Sequence, residues 1–381
     1  MKQPPATASG RLEYLDLIRG VFILVMIEGH TLRAFLSPEV KASLLYQRQE
    51  LIHNLTGPAF LFAAGAAFVY SSRSRWDEYR RWGPKLRGRI TRWLVVLIAG
   101  YALQLAYSTL WRTLAESTHD QFAHLLSLNI LQCIVYSLFL LQALMRVAPS
   151  WQWFYRVSVI SAVGIALLTP LAWNYGQHAS LWVAPFLNGR TLSIFPLFSY
   201  TGFALAGAAW GHLHLLARDH EREAAFLGRC AGYAAGLCVA GVLLAYLPLP
   251  ELFSDLWYSS PVAFMVRLGI IGLVTVVARW LEPRLLPRFR WLAVVGEQSL
   301  LIYVIHLLVL YGSAFNPDTS LLKAFGVPLD FGPAVLVLLV FGAAMVALAV
   351  WWDRWRKGHA RDAKGVWWTV AGYYSFRFFL G

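Results

Sequence analysis

The amino-acid sequence predicts an all-α protein: a polytopic transmembrane helical bundle of about ten spans with both termini in the cytoplasm. The first observation is composition, because 58% of the 381 residues are hydrophobic and only 14% are charged. A soluble domain carries about a quarter charged residues. The second is a series of apolar stretches close to the ~20 residues that cross a bilayer. The third is the placement of lysine and arginine in alternate connections, so the net charge of +13 indicates topology and no nucleic-acid partner is expected.

Ten stretches are apolar and long enough to be spans. Glycine and proline within them are tolerated in membrane helices. No separate soluble domain or internal repeat is apparent, so residues 1–352 are predicted to form one transmembrane domain, followed by a basic and aromatic cytoplasmic tail at 353–381. The predicted spans are 16–36, 52–71, 93–112, 124–145, 157–174, 191–215, 230–248, 260–278, 291–313 and 332–352.

The basic residues orient these spans, since loops rich in lysine and arginine stay in the cytoplasm. With the N-terminus inside, the inner segments hold 25 of the 33 lysine and arginine residues and the outer segments hold six. A missed span would invert every later segment and destroy this asymmetry. The inner segments are the N-terminal tail, 73–92, 146–156, 216–229, 279–290 and the tail from Asp353.

Four ionisable residues are predicted to share one layer inside the membrane. At about 1.5 Å per helical residue, His30 lies about 21 Å beyond Asp16, and Glu28 lies at a similar depth. His306 lies about 24 Å beyond the nearest inner charge and Arg267 about 18 Å. Ionisable groups at such depth are costly unless they face a partner or a wet cavity. A polar cavity slightly to the outer side of the midplane is therefore expected.

Helical phase extends the candidate site to further polar side chains. Residues three, four, seven or eight apart share a helix face, but Glu28 points away from His30 and should have another partner. His53 stands at the outer start of the second span. The side chains that share a face with one another are Asp16 and Arg19 with His30, Asn129 with Gln132 and Tyr136, and Ser299 and Tyr303 with His306.

Each of these residues also has a structural interpretation. A membrane histidine can simply bond to a backbone carbonyl, and Arg267 with Glu28 could form a structural ion pair. Asn129 and Gln132 could join helices, as polar membrane residues often do. His53 could be an interface residue. Four further histidines lie at cytoplasmic ends and are predicted to be solvated, namely His212, His214, His220 and His359.

Five segments, in order, resemble the heparan-α-glucosaminide N-acetyltransferase-like family of membrane acyltransferases, and the first is also similar to the broader acyltransferase-3 group. They include both deep histidines and Arg267. A departure is the fourth span, where Asn129 and Gln132 stand in place of the aspartate and asparagine that similar proteins carry. The segments are RLEYLDLIRGVFILVMIEGH (Arg11–His30), PAFLFAAG (Pro58–Gly65), FPLFSYTGFALAGAAWG (Phe195–Gly211), SSPVAFMVRLG (Ser259–Gly269) and GEQSLLIYVIH (Gly296–His306).

The resemblance implies transfer of an acyl group, expected to be acetyl, from cytosolic acyl-CoA to a hydroxyl or amine of a carbohydrate or glycoconjugate. It implies that His30 is the base or acyl carrier, and that Arg267 offsets negative charge. His306, Tyr303 and Asn129 would orient the acceptor or stabilise an oxyanion. A bacterial inner membrane location is also implied, and no metal is expected. Guanidinium groups suit CoA phosphates, and the candidates are Arg73, Arg75, Arg87, Arg89 and Arg92.

Two other classes of function stay open. A transporter or flippase could use the same polar layer as a substrate or proton site, although no inverted repeat marks alternating access. An assembly or sensory membrane protein would need the layer only for stability. The acceptor, the acyl chain length and the oligomeric state, including a homodimer, are also left open by the sequence.

Overall fold

A computed structural model of the chain describes residues 12–190, 193–248, 250, 259–326 and 328–381. Within these ranges the chain is helical, and the single β-type contact is a parallel bridge between Leu36 and Leu329. The all-α class is therefore confirmed. The N-terminal tail and the first two residues of the span predicted at 191–215 lie outside the described residues.

Nineteen α-helices and one short 3₁₀ turn, Arg73–Arg75, make up the described chain. The helices are α1 (Glu13–Phe35), α2 (Pro38–Lys41), α3 (Leu44–His53), α4 (Thr56–Ser72), α5 (Trp76–Arg80), α6 (Pro84–Ala102), α7 (Leu110–Ala115), α8 (His119–Leu126), α9 (Ile130–Val147), α10 (Trp151–Gly176), α11 (Ala184–Leu187), α12 (Leu197–Asp219), α13 (Glu223–Ala245), α14 (Pro261–Leu285), α15 (Arg290–Glu297), α16 (Ser299–Tyr311), α17 (Leu321–Phe325), α18 (Phe331–Gly358) and α19 (Ala360–Leu380).

Each predicted span overlaps a helix of this set, and the chain is a multi-pass membrane protein. Six helical segments of the described chain are long and apolar enough to cross a membrane, or seven if α15 and α16 count as one broken span. The full count of ten stays a prediction. The helices α1 and α6 carry several charged residues and α12 carries two histidines, which lowers their hydropathy.

The third predicted span, 93–112, is displaced along the chain. The corresponding helix α6 runs from Pro84 to Ala102. Proline is favoured at the first helical position because its missing N–H has no partner there in any case. Arg87, Arg89 and Arg92 therefore lie on a helix, not in a loop. Long arginine side chains allow this, since their heads reach the membrane surface while their stems stay apolar.

Glycines allow two pairs of helices to cross in backbone contact. A Cβ added to Gly296 on α15 would lie 1.8 Å from the carbonyl oxygen of Asp16 on α1. A Cβ on Gly65 of α4 would lie 1.9 Å from the carbonyl oxygen of Ala204 on α12. Small residues let membrane helices approach closely in this way. The first crossing places α16, which follows α15 after a 75° bend, beside the outer half of α1.

The C-terminal helix α19 folds back along the bundle. Near its start Trp367 meets Trp352 of α18, with ring centroids 6.2 Å apart. Further along, Tyr374 packs on Phe315 at 4.9 Å, and α19 also contacts α7. Phe315 and α7 belong to connections that the basic-residue pattern assigns to the outer side. If the connection at 314–331 lies on the outer side, α19 must cross the membrane. The side on which residues 353–381 lie stays a prediction.

Candidate active site

The two deep histidines meet at the centre of the candidate site. His30 of α1 and His306 of α16 are joined by a hydrogen bond of 2.8 Å between Nδ1 and Nε2. Their rings are stacked, with centroids 5.1 Å apart and planes inclined by 12°. His306 is fully buried, whereas His30 is partly accessible. The predicted shared depth of these residues therefore corresponds to a direct contact.

The carbonyl of Ile302 fixes the direction of this hydrogen bond. Nδ1 of His306 lies 2.9 Å from that oxygen, which can only accept, so Nδ1 carries the proton. In the neutral ring Nε2 of His306 is then the acceptor, and Nδ1–H of His30 donates to it. This leaves Nε2 of a neutral His30 with a free lone pair. The arrangement suits a base or nucleophile held in one tautomer.

Two tyrosines flank the histidine pair. The Tyr311 hydroxyl donates to the backbone carbonyl of His30 at 3.0 Å, and its ring is edge-on to the His30 ring. Tyr303 packs edge-on to His306, with centroids 5.6 Å apart. Both tyrosines come from α16, one turn before and more than one turn after His306. They extend the site along that helix.

A cavity of about 430 Å³ leads from the inner side of the bundle to Tyr303. Its walls are mainly apolar, and its polar groups lie mostly toward the inner ends of α1, α4 and α6. Volumes of this order are typical of small-molecule sites. The lining residues of this inner cavity are Arg19, Ile23, Met26, Phe60, Ala64, Ala67, Phe68, Ser71, Tyr79, Arg89, Arg92, Trp93, Val96, Ile130, Leu131, Ile134, Leu138, Ser299, Leu300 and Tyr303.

Arg89 is a buried cation of the inner cavity that is held by several hydrogen bonds. It is 4% exposed, and its guanidinium donates to Ser72 at 2.9 Å, to Ser71 at 3.1 Å and to Gln142 at 3.3 Å. The guanidinium also lies 3.3 Å from the centroid of the Tyr79 ring. All these partners are neutral, and no carboxylate of the described chain neutralises Arg89. A buried unneutralised cation favours an anionic ligand.

The other predicted CoA-binding arginines lie in different places. Arg92 is exposed and lines the inner cavity beside Arg89. Arg73 pairs with Asp219 at 3.7 Å. Arg75 and Arg87 are exposed, and neither they nor Arg73 lines that cavity. The structure thus brings two of the five predicted arginines to the cavity.

Arg19 adds a further cation, and Asp16 is bound to it. The Arg19 guanidinium lies 3.0 Å from the Asp16 carboxylate, which is buried. Arg19 and Ser299 line the inner cavity. Arg267 is 6% exposed on α14, on the same face as Phe264, which packs against α12. Glu28 instead contacts His53 and Gln49, so an ion pair between Arg267 and Glu28 has no support among the described residues.

A second cavity of about 120 Å³ lies on the outer side of Tyr303, which lines both cavities. Asn129 lines it from the N-terminus of α9, and Tyr311 lines it from α16. Gln132 is fully buried there and donates to Gln104, which in turn bonds to Ser127 at 2.8 Å. Gln132 therefore joins α9 to the turn that follows α6, while its own oxygen has no partner among the described residues.

Glu28 has the separate partner that helical phase predicts. Its carboxylate lies 2.6 Å from Nε2 of His53 and accepts from Gln49. His53 also lies 3.5 Å from Glu50, which pairs with Arg33 at 2.6 Å. This outer cluster packs against Gly29, the residue before His30, and a Cβ there would meet the His53 ring. Glu28 and His53 therefore stand next to the histidine pair.

One buried network was missed by sequence reasoning. His212 and His214 are 3% and 0% exposed, so the prediction that they are solvated is wrong, whereas His220 and His359 are exposed as predicted. His214 contacts Tyr70 at 2.5 Å and Glu223 at 2.7 Å. The members come from different helices, so no pattern within one helix indicates the network. It ties the inner ends of α4, α12 and α13 together.

The described helices form the bundle of a multi-pass membrane protein. The sequence model of the acyltransferase-3 family, described as an acyltransferase domain, matches residues 12–377, and the chain belongs to that family. The broader of the two resemblances is thus confirmed, and membership supports a membrane acyltransferase. A comparison with curated proteins gives no match. Within the described chain no group of three or more histidine, cysteine, aspartate or glutamate residues is arranged to hold a metal.

Proposed function

We propose that the protein transfers an acyl group, expected to be acetyl, from cytosolic acyl-CoA to a hydroxyl or amine of a carbohydrate or glycoconjugate. The proposed location is a bacterial inner membrane, in keeping with the heparan-α-glucosaminide N-acetyltransferase-like resemblance. The observation that carries the proposal is the inner cavity, which connects Arg89 and Arg92 to Tyr303 beside the histidine pair.

The donor would enter from the cytoplasm. Arg89 and Arg92 would hold CoA phosphates, because guanidinium groups form charge-assisted hydrogen bonds with phosphate oxygens. The apolar walls formed by Ile134 and Leu138 suit the pantetheine arm and its acyl group. The thioester would then lie near Tyr303, and the acceptor would approach through the outer cavity that Asn129 also lines.

The chemistry would use the free lone pair on Nε2 of His30. Nε2 would take the proton of the acceptor hydroxyl as its oxygen attacks the thioester carbonyl carbon. The carbon–sulfur bond would then break, and the proton would pass from His30 to the CoA thiolate. The Tyr303 hydroxyl would donate to the oxyanion of the tetrahedral intermediate. The same lone pair could instead carry the acyl group between two half-reactions, and burst kinetics separate the two routes.

Four further side chains are proposed to contact the acceptor or the donor near the reaction site, namely Glu28, His53, Gln132 and Ser299. Asp16 would fix Arg19 at the cavity wall through their ion pair. Arg267 would raise the local positive potential from α14. A homodimer stays a proposal.

Transport remains the second candidate, because α15 and α16 form a broken span bent by 75°. Broken helices often line substrate sites in transporters. Proteoliposomes distinguish the two activities. A transferase consumes acyl-CoA when donor and acceptor are both supplied, whereas a transporter moves acceptor across the membrane without consuming acyl-CoA.

The decisive test is thermal unfolding of the detergent-purified protein with acetyl-CoA, CoA and longer acyl-CoAs. A ligand at 100 times its Kd stabilises the folded state by about 2.7 kcal/mol, so the Tm should rise by a few degrees. Arg89→Gln should abolish the rise. Arg87→Gln is the matched control, because Arg87 is exposed on the same helix and outside the cavity. Absence of stabilisation of the wild type by any CoA species contradicts the proposal.

A further inference from the structure

A separate groove opens at the inner end of the bundle between α12 and α13. Its volume is about 370 Å³. The two helices are joined by a tight turn in which Glu221 has a positive φ of 56°, and α13 then packs along α14, so α12 and α13 diverge. The lining residues are Leu213, Leu216, Ala217, His220, Arg222, Phe226, Arg229, Cys230 and Tyr233.

The groove combines cations at its rim with apolar walls. Arg222, Phe226, Arg229 and Tyr233 are spaced by three or four residues and share one face of α13. Both arginines are exposed, and no described carboxylate forms an ion pair with either. The charge is thus available to a ligand, while most of the wall beside it is apolar.

The position of α13 indicates where that ligand comes from. Only 11% of its most apolar window is buried inside the protein, so most of this helix faces the bilayer. Arg222 stands at the cytoplasmic end of α13, and Arg229 lies about 10 Å further along. Arginines at that depth reach back toward the headgroup layer. The groove therefore opens to the lipid headgroups and to the first part of the acyl chains.

We propose that this groove binds an anionic phospholipid of the cytoplasmic leaflet. Arg222 and Arg229 bind its phosphate, and an acyl chain lies between Leu213, Leu216 and Phe226. The site is distinct from the cavity assigned to acyl-CoA, since the two share no lining residue. It would anchor the divergent inner ends of α12 and α13 and does not depend on the proposed reaction.

Native mass spectrometry of the detergent-purified full chain tests this directly. The wild type should bind phosphatidylglycerol roughly 30-fold more tightly than phosphatidylcholine, at about fivefold for each basic residue. The double variant Arg222→Gln/Arg229→Gln should lose this preference. The matched control Arg288→Gln/Arg354→Gln also removes two exposed inner arginines and should retain it.

A second variant tests the apolar half of the site. Leu213→Trp fills the groove at a position that is already 37% exposed, so folding should survive, and both arginines stay in place. Phosphatidylglycerol binding should fall about tenfold for the loss of roughly 1.4 kcal/mol of chain contact. The proposal is overturned if the arginine double variant keeps its preference for phosphatidylglycerol. It is equally overturned if soluble glycerol phosphate or CoA competes fully for the site.

Discussion

Nδ1 of His30 donates to Nε2 of His306 across 276 positions of sequence, and the carbonyl of Ile302 sets the direction of that bond. This hydrogen bond links α1 to α16, which is the second half of the broken span. His306 is buried and bonded at both ring nitrogens, so it holds His30 in place, while Nε2 of His30 is left for chemistry. The two histidines therefore have different expected roles.

Replacing these histidines should separate the two roles. His30→Ala removes the base and should lower acetyl-CoA turnover by about 10²–10⁴-fold, the range typical of a general base. His306→Gln keeps a carbonyl that can accept from Nδ1 of His30, so its loss should be at most about tenfold. Thiol release from acetyl-CoA measures both variants. His359→Ala, at an exposed histidine that lines neither the cavities nor the groove, should leave turnover unchanged, and full activity of His30→Ala contradicts the assignment.

Tyr303 lies between the two cavities, and its hydroxyl is the proposed oxyanion donor. Tyr303→Phe should lower kcat by about 10²-fold, as removal of one such donor does. Stabilisation by CoA should persist, because Arg89 is unchanged. Tyr136→Phe is the control, since the Tyr136 hydroxyl bonds to Tyr101 and lines neither cavity. A Tyr303→Phe enzyme that loses CoA binding but keeps kcat would place this residue in the donor site only.

Depth predicts that His30 and His306 lie at one level, since a fixed rise per residue converts sequence distance into height in the membrane. The shared level of His30 and His306 follows from this alone. Their hydrogen bond does not, because it depends on how α1 crosses α15 at Gly296. Helical phase predicts that Glu28 has a partner other than His30. The identity of that partner, His53, depends on the position of α3.

At Arg89 composition misleads the prediction, and at α19 it gives little information about a membrane crossing. The basic run 73–92 is predicted to be a loop, because charge lowers hydropathy, although a helix begins at Pro84. Burial of Arg89 between Ser72 and Gln142 requires three elements and leaves no local signal. The helix α19 is rich in tryptophan and tyrosine, which prefer the membrane interface. These residues have low hydropathy, so they do not mark α19 as a span.

The crossing of α4 and α12 should be intolerant of any side chain at Gly65. Gly65→Ala places a methyl group against the carbonyl of Ala204, and overpacking of this kind typically costs about 1–3 kcal/mol. The Tm in detergent should fall accordingly. Gly342→Ala on α18 is the control, because its added Cβ has no neighbour within 4 Å beyond the adjacent backbone of its own helix. A Gly65→Ala protein as stable as the control would show that the helices separate easily.

The position of α19 predicts that the C-terminus lies on the outer face. The helix has 21 residues, about 31 Å in length, which matches the hydrocarbon thickness of a bilayer. It starts beside the inner end of α18 and passes Phe315 at Tyr374. We expect α19 to be a further membrane crossing, with Arg377, which lies over the Phe315 ring at 5.9 Å, at the outer end.

Reporter fusions in a bacterial host test this expectation. Alkaline phosphatase fused after Gly381 should be active, because it folds only outside the cytoplasm, and green fluorescent protein at that position should be dark. Fusion after Gly358, at the end of α18, should give the opposite result for both reporters. A fluorescent protein that is bright at both positions would show that α19 stays on the inner side. The connection at 314–331, which packs against α19, would then have to lie on that side too.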